Sequence, residues 1–561
     1  MGIYQTILNV LRNSIRLDKR QEIPPLDEKK NLSPKVPSLT ESNTSTLFVS
    51  NEVKTSKVFL ARNIDSTTNQ FGADLSADIL IKSDAAITFT SEVTTDYKFL
   101  EISEILGCKK SIHSSPKAEQ RELSLGLDFG TSSVKVVIGD HGSDQSYAVP
   151  FLKAKGVDSY LLPSRTFLNS ETTSPSSLGR FSLENSSTAY RDLKLGLLGN
   201  PLDEDRQTQV IAFLSQVIHR SRSWLFLNHA SIYKNINCLW RLRVGLPAAS
   251  SLDNQFVPIF NKIAHASWLL SELSGNPTME QAQTIRNLVF QNNKSAEDLE
   301  VEIIPEIAAQ IYGFVVSTSF DKKAANRFLM IDVGAGTVDA SLFRVVPVKG
   351  GKWDFEFYTA VIQPYGVSNL HSSRVDWWVK YLPDTSVGLE LKKSLINSKF
   401  NTDLGFQLPE QCQDYVKGVF FRELSPSKCD TDFFDKKLSA QVQGSAIWRA
   451  YKDGYLSQSQ LKDIPMFLCG GGARSKFYAG LEKLVQHPPG FSWLSVQPWQ
   501  LTFPKDLIAE NVAPADFDRL SVAYGLSRLD VGKVTKAVPQ PFIPQLQSTS
   551  FNDRFIDKDQ C

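Results

Sequence analysis

Two stretches of this chain repeat one pattern about two hundred residues apart. The first reads LGLDFGTSSVKVVIG over residues 125–139, and the second reads FLMIDVGAGTVDASLF over residues 328–343. Each has an apolar segment, an aspartate, a run of small and hydroxyl residues with glycine, and a second apolar segment, which is typical of a β-hairpin. A duplication at this separation predicts two similar lobes, each contributing one turn to a shared cleft.

The tips of both hairpins consist of residue types that bind phosphate. Glycine allows the backbone to approach an anion and to adopt positive φ, so successive N–H groups can point into one concavity. Hydroxyl groups add further hydrogen-bond donors. The predicted phosphate ligands are Gly130, Thr131, Ser132 and Ser133 in the first tip, and Gly334, Ala335, Gly336 and Thr337 in the second.

An aspartate stands at the end of the first strand of each hairpin. Because Mg²⁺ keeps much of its hydration, Asp128 and Asp332 are predicted to hold this ion through water. Asp339 adds a third acid in the second hairpin. Two ordinary glycine hairpins with capping aspartates would also explain either stretch alone, but the occurrence of both favours a paired metal and phosphate site.

The two hairpins and three further motifs resemble the actin, heat-shock-chaperone and sugar-kinase ATPase superfamily. DFGTSS and DVGAGTVD resemble its two phosphate motifs. IIPEIAAQIYG (303–313) resembles a connecting helix, with Glu306 at its acidic position, and FDRLSVAYGLS (517–527) resembles the second connecting helix. There Ala523 and Gly525 allow close helix packing. MFLCGGGARSKF (466–477) resembles the adenosine motif, and the five motifs cover roughly residues 122–530.

The resemblance implies an α/β protein with the two-lobed actin-like ATPase fold, built from duplicated ribonuclease-H-like domains, plus a small N-terminal β-rich extension. The predicted organisation is an amphipathic segment and linker at 1–44, a β-rich module with linker at 45–120, lobe I at 121–325, lobe II at 326–536 and a disordered tail at 537–561.

Within the superfamily the DnaK-type heat-shock ATPases are the most similar. LLPSRTFL (161–168), YRDLKLGLLG (190–199) and RLRVGLPAAS (241–250) each resemble a segment of these proteins, and the second implies a phosphate-contacting lysine at Lys194. YGVSNLHSSRVDWW (365–378) resembles a glycine-rich loop but has His371, Ser372, Ser373 and Arg374 where the chaperones keep a Gly-Gly-acid run. LKKSLINSKF (391–400) loosely resembles the helix that flanks adenosine, which makes Lys399 a further nucleotide ligand.

Residue roles follow from the resemblance together with the chemistry of phosphoryl transfer, in which positioning and charge neutralisation supply most of the catalysis. Lys194 would neutralise charge near the γ-phosphate, and Glu306, with Asp339 as a second option, would orient the attacking water. Gly470, Gly471 and Gly472 would admit the nucleotide closely, and Arg474 could stack on adenine. ATP and Mg²⁺ are therefore the predicted cofactors.

The predicted function is slow Mg²⁺-dependent ATP hydrolysis that drives lobe closure. DnaK-type chaperones carry a peptide-binding domain after the ATPase, but only about thirty residues follow Leu529 here. A peptide-holding cycle is therefore not expected, and the N-terminal module or an unidentified partner protein would read the switch. An ATP-dependent actin-like filament, a small-molecule kinase and a non-hydrolysing pseudo-ATPase are the alternatives.

Composition restricts the remaining choices. Sixty-one basic and sixty acidic residues give a net charge of +1, which argues against broad nucleic-acid binding. Six scattered cysteines without a CxxC pair predict neither a disulfide framework nor a zinc site. No apolar run reaches the ~18 residues of a membrane span, so a cytoplasmic protein is expected. Residues 1–20 have amphipathic helical spacing, which suits a partner, a membrane surface or packing on the protein itself.

Overall fold

The computed structural model describes residues 79–89, 98–100, 119–169, 179–184, 188–252, 255–273, 276–292, 299–399, 408–422, 425–486 and 493–539. The chain divides into two compact units, Met1–Ala77 and Asp78–Cys561, and all described residues belong to the second. The predictions for the amphipathic segment, for its linker and for most of the tail therefore lie outside the described residues.

The β-strands of the described residues are numbered in chain order. They are β1 Ile79–Ile87, β2 Glu119–Phe129, β3 Ser133–Asp140, β4 Gln145–Ala148, β5 Leu162–Pro163, β6 Thr166–Asn169, β7 Arg180–Ser182, β8 Thr188–Tyr190, β9 Ile236–Leu246, β10 Glu300–Pro305, β11 Arg327–Val333, β12 Val338–Pro347, β13 Trp353–Gln363, β14 Val416–Phe421, β15 Ile464–Cys469, β16 Val496–Trp499, β17 Leu507–Ile508 and β18 Val531–Lys536.

The α-helices of the same ranges are Leu193–Gly199, Glu204–Asn228, Ala230–Tyr233, Ala248–Ser251, Phe256–Ser271, Met279–Asn292, Glu306–Val315, Val367–Tyr381, Ser386–Ser398, Ser427–Phe433, Arg449–Lys452, Lys476–Gln486 and Ser521–Arg528. A π-helix, Phe434–Trp448, joins two of them. Within the described part of the chain, no helix combines the length and the apolar character needed to cross a membrane.

Two large sheets have the same arrangement of strands. The first has the order β10-β9-β2-β3-β4-β17 and the second has the order β16-β15-β11-β12-β13-β18. In both, the first three strands run parallel, the next two are antiparallel to their neighbours, and the last runs parallel to the strand beside it. The α/β class is confirmed, and each predicted hairpin, β2–β3 or β11–β12, occupies the same place in its sheet.

The strands that carry the hairpins are buried on both faces. In β2 the side chains of Leu123, Leu125 and Leu127 share one face and are fully buried, and Ser124 and Asp128 on the opposite face are buried as well. A strand covered on both faces by other elements often reads as a nearly continuous apolar run, as Phe328–Ile331 of β11 does, whereas β2 alternates leucines with small or polar residues. The rigid core therefore fixes the position of the aspartate that follows.

Two helices cross close together between the sheets, as the small residues at Ala523 and Gly525 predict. A Cβ atom at Gly525 would lie 1.8 Å from the carbonyl oxygen of Ala309, which belongs to the helix Glu306–Val315. A Cβ atom at Gly126 of β2 would lie 2.4 Å from the carbonyl oxygen of Ala523. The absence of side chains at these glycines allows direct backbone contact between the two helices and between helix and sheet.

Strand β1 lies within the segment 45–120, for which the sequence predicts a β-rich module. It pairs antiparallel with β14, from Ile79 opposite Phe421 to Ile87 opposite Val416. Its apolar side chains pack against a buried cluster that includes Trp378. This strand thus belongs to the same compact unit as both hairpins.

Candidate functional site

A cavity of about 250 Å³ brings most of the predicted site residues together. Both hairpin tips, the acids that precede them and the glycine turn after β15 reach it. Those that line it are Asp128, Gly130, Thr131, Ser132, Ser133, Lys194, Glu306, Asp332, Gly334, Ala335, Thr337, Asp339, Gly470, Gly471 and Gly472. Residues that are far apart in sequence therefore share one chemical environment.

The two hairpin tips face each other. A Cβ atom at Gly336 would lie 3.1 Å from Cγ2 of Thr131 and 2.7 Å from Cδ1 of Leu195. Gly336 lines an adjoining cavity of about 700 Å³, to which Thr131 and Ala335 also contribute. The predicted opposition of the tips is confirmed, and their contact is close enough that a side chain at Gly336 would push them apart.

The first hairpin balances its acid with a lysine that the sequence reasoning missed. Asp128 lies directly across the strand pair from Lys135, and the distance from Nζ of Lys135 to Oδ2 of Asp128 is 3.0 Å. The tip is held in place by Ser164, whose hydroxyl donates to the carbonyl oxygen of Gly130 at 2.6 Å. Lys135 stands seven residues after Asp128, so the hairpin register itself was the signal that could have found it.

The second hairpin places two acids opposite each other. Asp332 lies across the strand pair from Asp339. The side-chain amide of Gln310 donates to Oδ2 of Asp332 at 3.0 Å. Oδ2 of Asp339 accepts from the backbone N–H of Ala248 at 3.1 Å, and its Oδ1 accepts from the hydroxyl of Ser341 at 3.0 Å. Gln310 is a second site residue that the sequence reasoning missed.

Burial sets the protonation of these acids. It raises the pKa of Asp332 to about 6, and the negative charges of Glu306 and Asp128 act in the same direction. Burial also raises the pKa of Asp339 to about 7, although the hydrogen bonds to this carboxylate lower it. An acid whose pKa lies near neutrality can take up or release a proton under physiological conditions. Asp332 and Asp339 can therefore change protonation state near neutral pH.

Lys194 and Glu306 form an ion pair inside the cavity. Nζ of Lys194 lies 2.5 Å from Oε1 of Glu306, and the lysine is buried. Burial raises the pKa of Glu306, and the nearby lysine partly offsets this effect. The two residues come from helices in different parts of the chain, Leu193–Gly199 and Glu306–Val315. Their contact places a movable cation beside the acid predicted to orient water.

The glycine turn after β15 borders the acids of the second hairpin. Gly470 has φ of +86°, and a Cβ atom there would lie 2.2 Å from Oδ1 of Asp332. Only glycine combines this backbone conformation with such a close approach. The turn thus exposes backbone, without side chains, next to the predicted metal site.

The segment 365–378, similar to a glycine-rich loop of the chaperones, is mostly helical. The helix Val367–Tyr381 starts on the second tip, because the N–H of Ser368 donates to the carbonyl oxygen of Ala335 at 2.8 Å. His371 lines the cavity, and its Nδ1 lies 2.9 Å from the Tyr415 hydroxyl. Burial lowers the pKa of His371 to about 4, so this side chain is neutral at physiological pH.

Besides Gly336, two predicted nucleotide ligands do not line the central cavity. Lys399 lines the adjoining cavity and forms an ion pair with Asp376. Arg474 forms ion pairs with Asp516 at 2.6 Å and Asp518 at 2.7 Å. These acids hold its guanidinium in place. Because both acids lie outside the motif 466–477, the motif alone did not indicate where the side chain of Arg474 would point.

Arg519 lines the cavity although no motif pointed to it. With Lys135 and Lys194 it supplies the positive charge of the lining, and the carboxylates are those of Asp128, Glu306, Asp332, Asp339 and Asp518. Hydroxyl and glycine tips suit phosphate oxygens, whereas carboxylates suit a hydrated Mg²⁺. The donor set therefore fits an anion bound together with a divalent cation. Within the described ranges, no three His, Cys, Asp or Glu side chains form a ready set of direct metal ligands.

Comparisons with known proteins give no assignment. No protein-family model matches the chain, and no curated protein is significantly similar to it.

Proposed function

We propose that this protein binds ATP with Mg²⁺ and hydrolyses it slowly, and that hydrolysis drives a closure switch. The proposed architecture is the two-lobed actin-like fold, with lobe I around β2–β3 and lobe II around β11–β12. Among its branches, the nucleotide-binding domains of DnaK-type heat-shock proteins resemble this chain most. A cytoplasmic location is part of the proposal.

The observation that carries the proposal is the convergence of two equivalent hairpins on one cavity. Both tips and both strand-end aspartates, Asp128 and Asp332, line it. The identical order of strands in the two large sheets supports a duplicated architecture. Ordinary hairpins with capping aspartates have no reason to place tips and acids in a common space.

Several of the lining residues have a role in this reaction. The backbone N–H groups of the tips and the hydroxyl of Thr131 hold the β- and γ-phosphates. Asp128 and Asp332 hold hydrated Mg²⁺, which when bound would neutralise charge that develops on the phosphates. Lys194 would neutralise charge near the γ-phosphate, and its partner Glu306 would orient the attacking water. Asp339, with its pKa of about 7, is placed to accept the proton.

The switch depends on movement at the helix crossing. The helices Glu306–Val315 and Ser521–Arg528 meet where Gly525 contacts Ala309, which gives the lobes a small contact about which to rotate. Glu306 stands at the start of the first helix, so ligand contacts at this side chain shift the whole element. A partner protein or the N-terminal part of the chain would respond to this movement of the helix.

The experiment that tests this function measures ADP and free phosphate separately, with and without Mg²⁺. Slow formation of both in equal amounts is expected for the wild type. Asp332→Asn should remove it, whereas Asp376→Asn, an exposed acid paired with Lys399, should not. Absence of Mg²⁺-dependent ADP formation in the wild type would refute the proposal.

The adjoining cavity favours a kinase as the second candidate. Its volume is about 700 Å³, it shares Thr131 and Ala335 with the central cavity, and Arg165 and Arg191 contribute to its lining. A phosphoryl acceptor placed there would lie beside the γ-phosphate. If ADP exceeds free phosphate when a small-molecule extract is added, the extra phosphoryl groups have reached an acceptor, and the kinase replaces the hydrolase.

A further inference from the structure

The proposed roles leave one cation of the cavity, Arg519, unused. It is the last residue of the 3-10 helix Pro514–Arg519, just before the helix Ser521–Arg528. Its guanidinium packs on the glycine turn, because a Cβ atom at Gly471 would lie 3.0 Å from both Cζ and Nη1 of Arg519. The bare backbone at Gly471 thus leaves room for this side chain at the cavity wall.

Arg519 differs from the other cations of the cavity in its partners. Lys135 is paired with Asp128 at 3.0 Å, and Lys194 with Glu306 at 2.5 Å. In the described part of the chain, by contrast, no residue forms a hydrogen bond or salt bridge with Arg519. Burial lowers the pKa of its guanidinium, and the positive charge of Arg474 acts in the same direction.

The Arg519 side chain is half-buried and lines the cavity, so its guanidinium is available to bind an anion that enters. Its five N–H donors match phosphate oxygens in a planar, two-pronged geometry. Oδ1 of the neighbouring Asp518 accepts from Nη2 of Arg474 at 2.7 Å, and the negative charge of Asp518 also acts on Arg519 without a hydrogen bond between them. The cavity therefore keeps a cation ready for an anion from outside the chain.

The position of Arg519 in the cavity indicates which part of a nucleotide its guanidinium would contact. Gly470 contacts Asp332, the proposed metal-holding acid, and the next residue, Gly471, contacts Arg519. The guanidinium is thus close to the metal and phosphate end of the cavity. Among the charges that act on it are those of Asp158 and Asp128 from the first sheet's side.

We infer that Arg519 is the arginine that binds the nucleotide, through its α- and β-phosphates, and that Arg474 instead braces the chain by pairing with Asp516 and Asp518. This inference rests on the proposed function and assigns a ligand contact within the same site. It also replaces the stacking role that the sequence motif assigns to Arg474.

The test compares Arg519→Gln with the matched variant Arg474→Gln by calorimetric titration of ADP, ATP and adenosine with Mg²⁺ present. Arg519→Gln should weaken ADP and ATP by a similar factor of about 10 to 100, since charge-assisted bonds to phosphate are strong. Adenosine affinity should not change. The value of kcat/KM for ATP should fall by a similar factor, because the lost phosphate contact also weakens binding in the transition state. Arg519→Lys should recover part of the affinity.

Thermal unfolding without ligand separates binding from structural roles. Arg519→Gln should leave the melting temperature unchanged or raise it, whereas Arg474→Gln should lower it by removing two ion pairs. Unchanged ADP affinity, an equal loss for adenosine, or a lowered melting temperature in Arg519→Gln would overturn the inference. If the wild type binds no nucleotide, the proposed function and the inference both fail. If it binds and hydrolyses ATP but Arg519→Gln is unaffected, the inference alone fails.

Discussion

The hairpins β2–β3 and β11–β12 have the same backbone and the same place in their sheets, but they carry different charges. Seven residues after the strand-end aspartate, the first has Lys135 and the second has Asp339. Both positions lie directly opposite the aspartate across the strand pair. The residue at this one position therefore determines the charge of the cross-strand pair. Asp128 and Lys135 form an ion pair, whereas Asp332 and Asp339 are both acids.

This difference gives the two hairpins different electrostatic properties. In the first hairpin, Lys135 already neutralises the negative charge of Asp128. In the second hairpin, burial raises the pKa of Asp332 to about 6 and that of Asp339 to about 7. A bound cation would relieve this unfavourable burial of negative charge, so we expect the second hairpin to respond most to Mg²⁺.

The largest effect expected is on catalysis. Asp128→Ala and Asp332→Ala should each lower turnover by about 100-fold or more, because preorganised charge supplies much of the rate enhancement in phosphoryl transfer. Steady-state phosphate release measures this, with circular dichroism to establish that each variant is folded. Wild-type turnover in either variant would mean that its hairpin holds no metal.

The same two positions should differ in their effect on stability. Asp128→Asn leaves Lys135 largely buried without its partner, which should cost about 1–3 kcal/mol of unfolding free energy. Asp339→Asn removes a buried charge and can keep the hydrogen bond from Ala248, so it should stabilise the ligand-free protein at pH 8. Urea unfolding of both variants measures whether each substitution lowers or raises the unfolding free energy. The double variant Asp128→Asn/Lys135→Gln is the control and should regain stability, whereas a loss in both single variants would remove the contrast.

The pH dependence should reveal the two acids. A folded-state pKa above the ordinary aspartate value of 3.8 means that the folded protein binds more protons than the unfolded chain between about pH 4 and pH 7. The contribution of Asp332 and Asp339 to the unfolding free energy therefore falls as the pH rises through this window. Asp339→Asn should flatten that decline, as measured by melting temperature from pH 5 to pH 8. Parallel curves for wild type and variant would show that Asp339 titrates normally.

The smallest effect is expected outside the paired hairpins. Lys399 is bound to Asp376 and lines only the adjoining cavity, so Lys399→Ala should change ATP affinity by less than about 2-fold. Exposed ion pairs contribute little, and unfolding should likewise change little. A loss of ATP affinity above about 10-fold would place adenosine against this lysine and extend the nucleotide site into the adjoining cavity.

The sequence alone was sufficient to predict the duplicated hairpins, the glycine and hydroxyl tips, and the acids at the strand ends. These features depend on local preferences: an apolar segment followed by small residues forms a buried strand with a tight turn, and glycine allows close approach of the backbone. The positive φ expected at the tips is absent, because Gly130, Gly334 and Gly336 all have other backbone conformations. The close packing at Gly525 could also be predicted, since it needs only the absence of a side chain. The segment 365–378 was harder, because its helix is capped by the carbonyl oxygens of a distant hairpin tip.

Only the tertiary structure decided which charges meet. The pairing of Lys194 with Glu306, the capture of Arg474 by Asp516 and Asp518, and the entry of Arg519 into the cavity each join residues from separate elements. The same holds for β1, whose partner β14 lies more than three hundred residues later. Formation of a hairpin depends on a local stretch of about fifteen residues. The ion pairs of long side chains depend instead on which distant residues the fold brings close and buries. The sequence therefore determined the two glycine and hydroxyl tips, and the packing of the two sheets determined that Arg519, and not Arg474, lines the cavity between them.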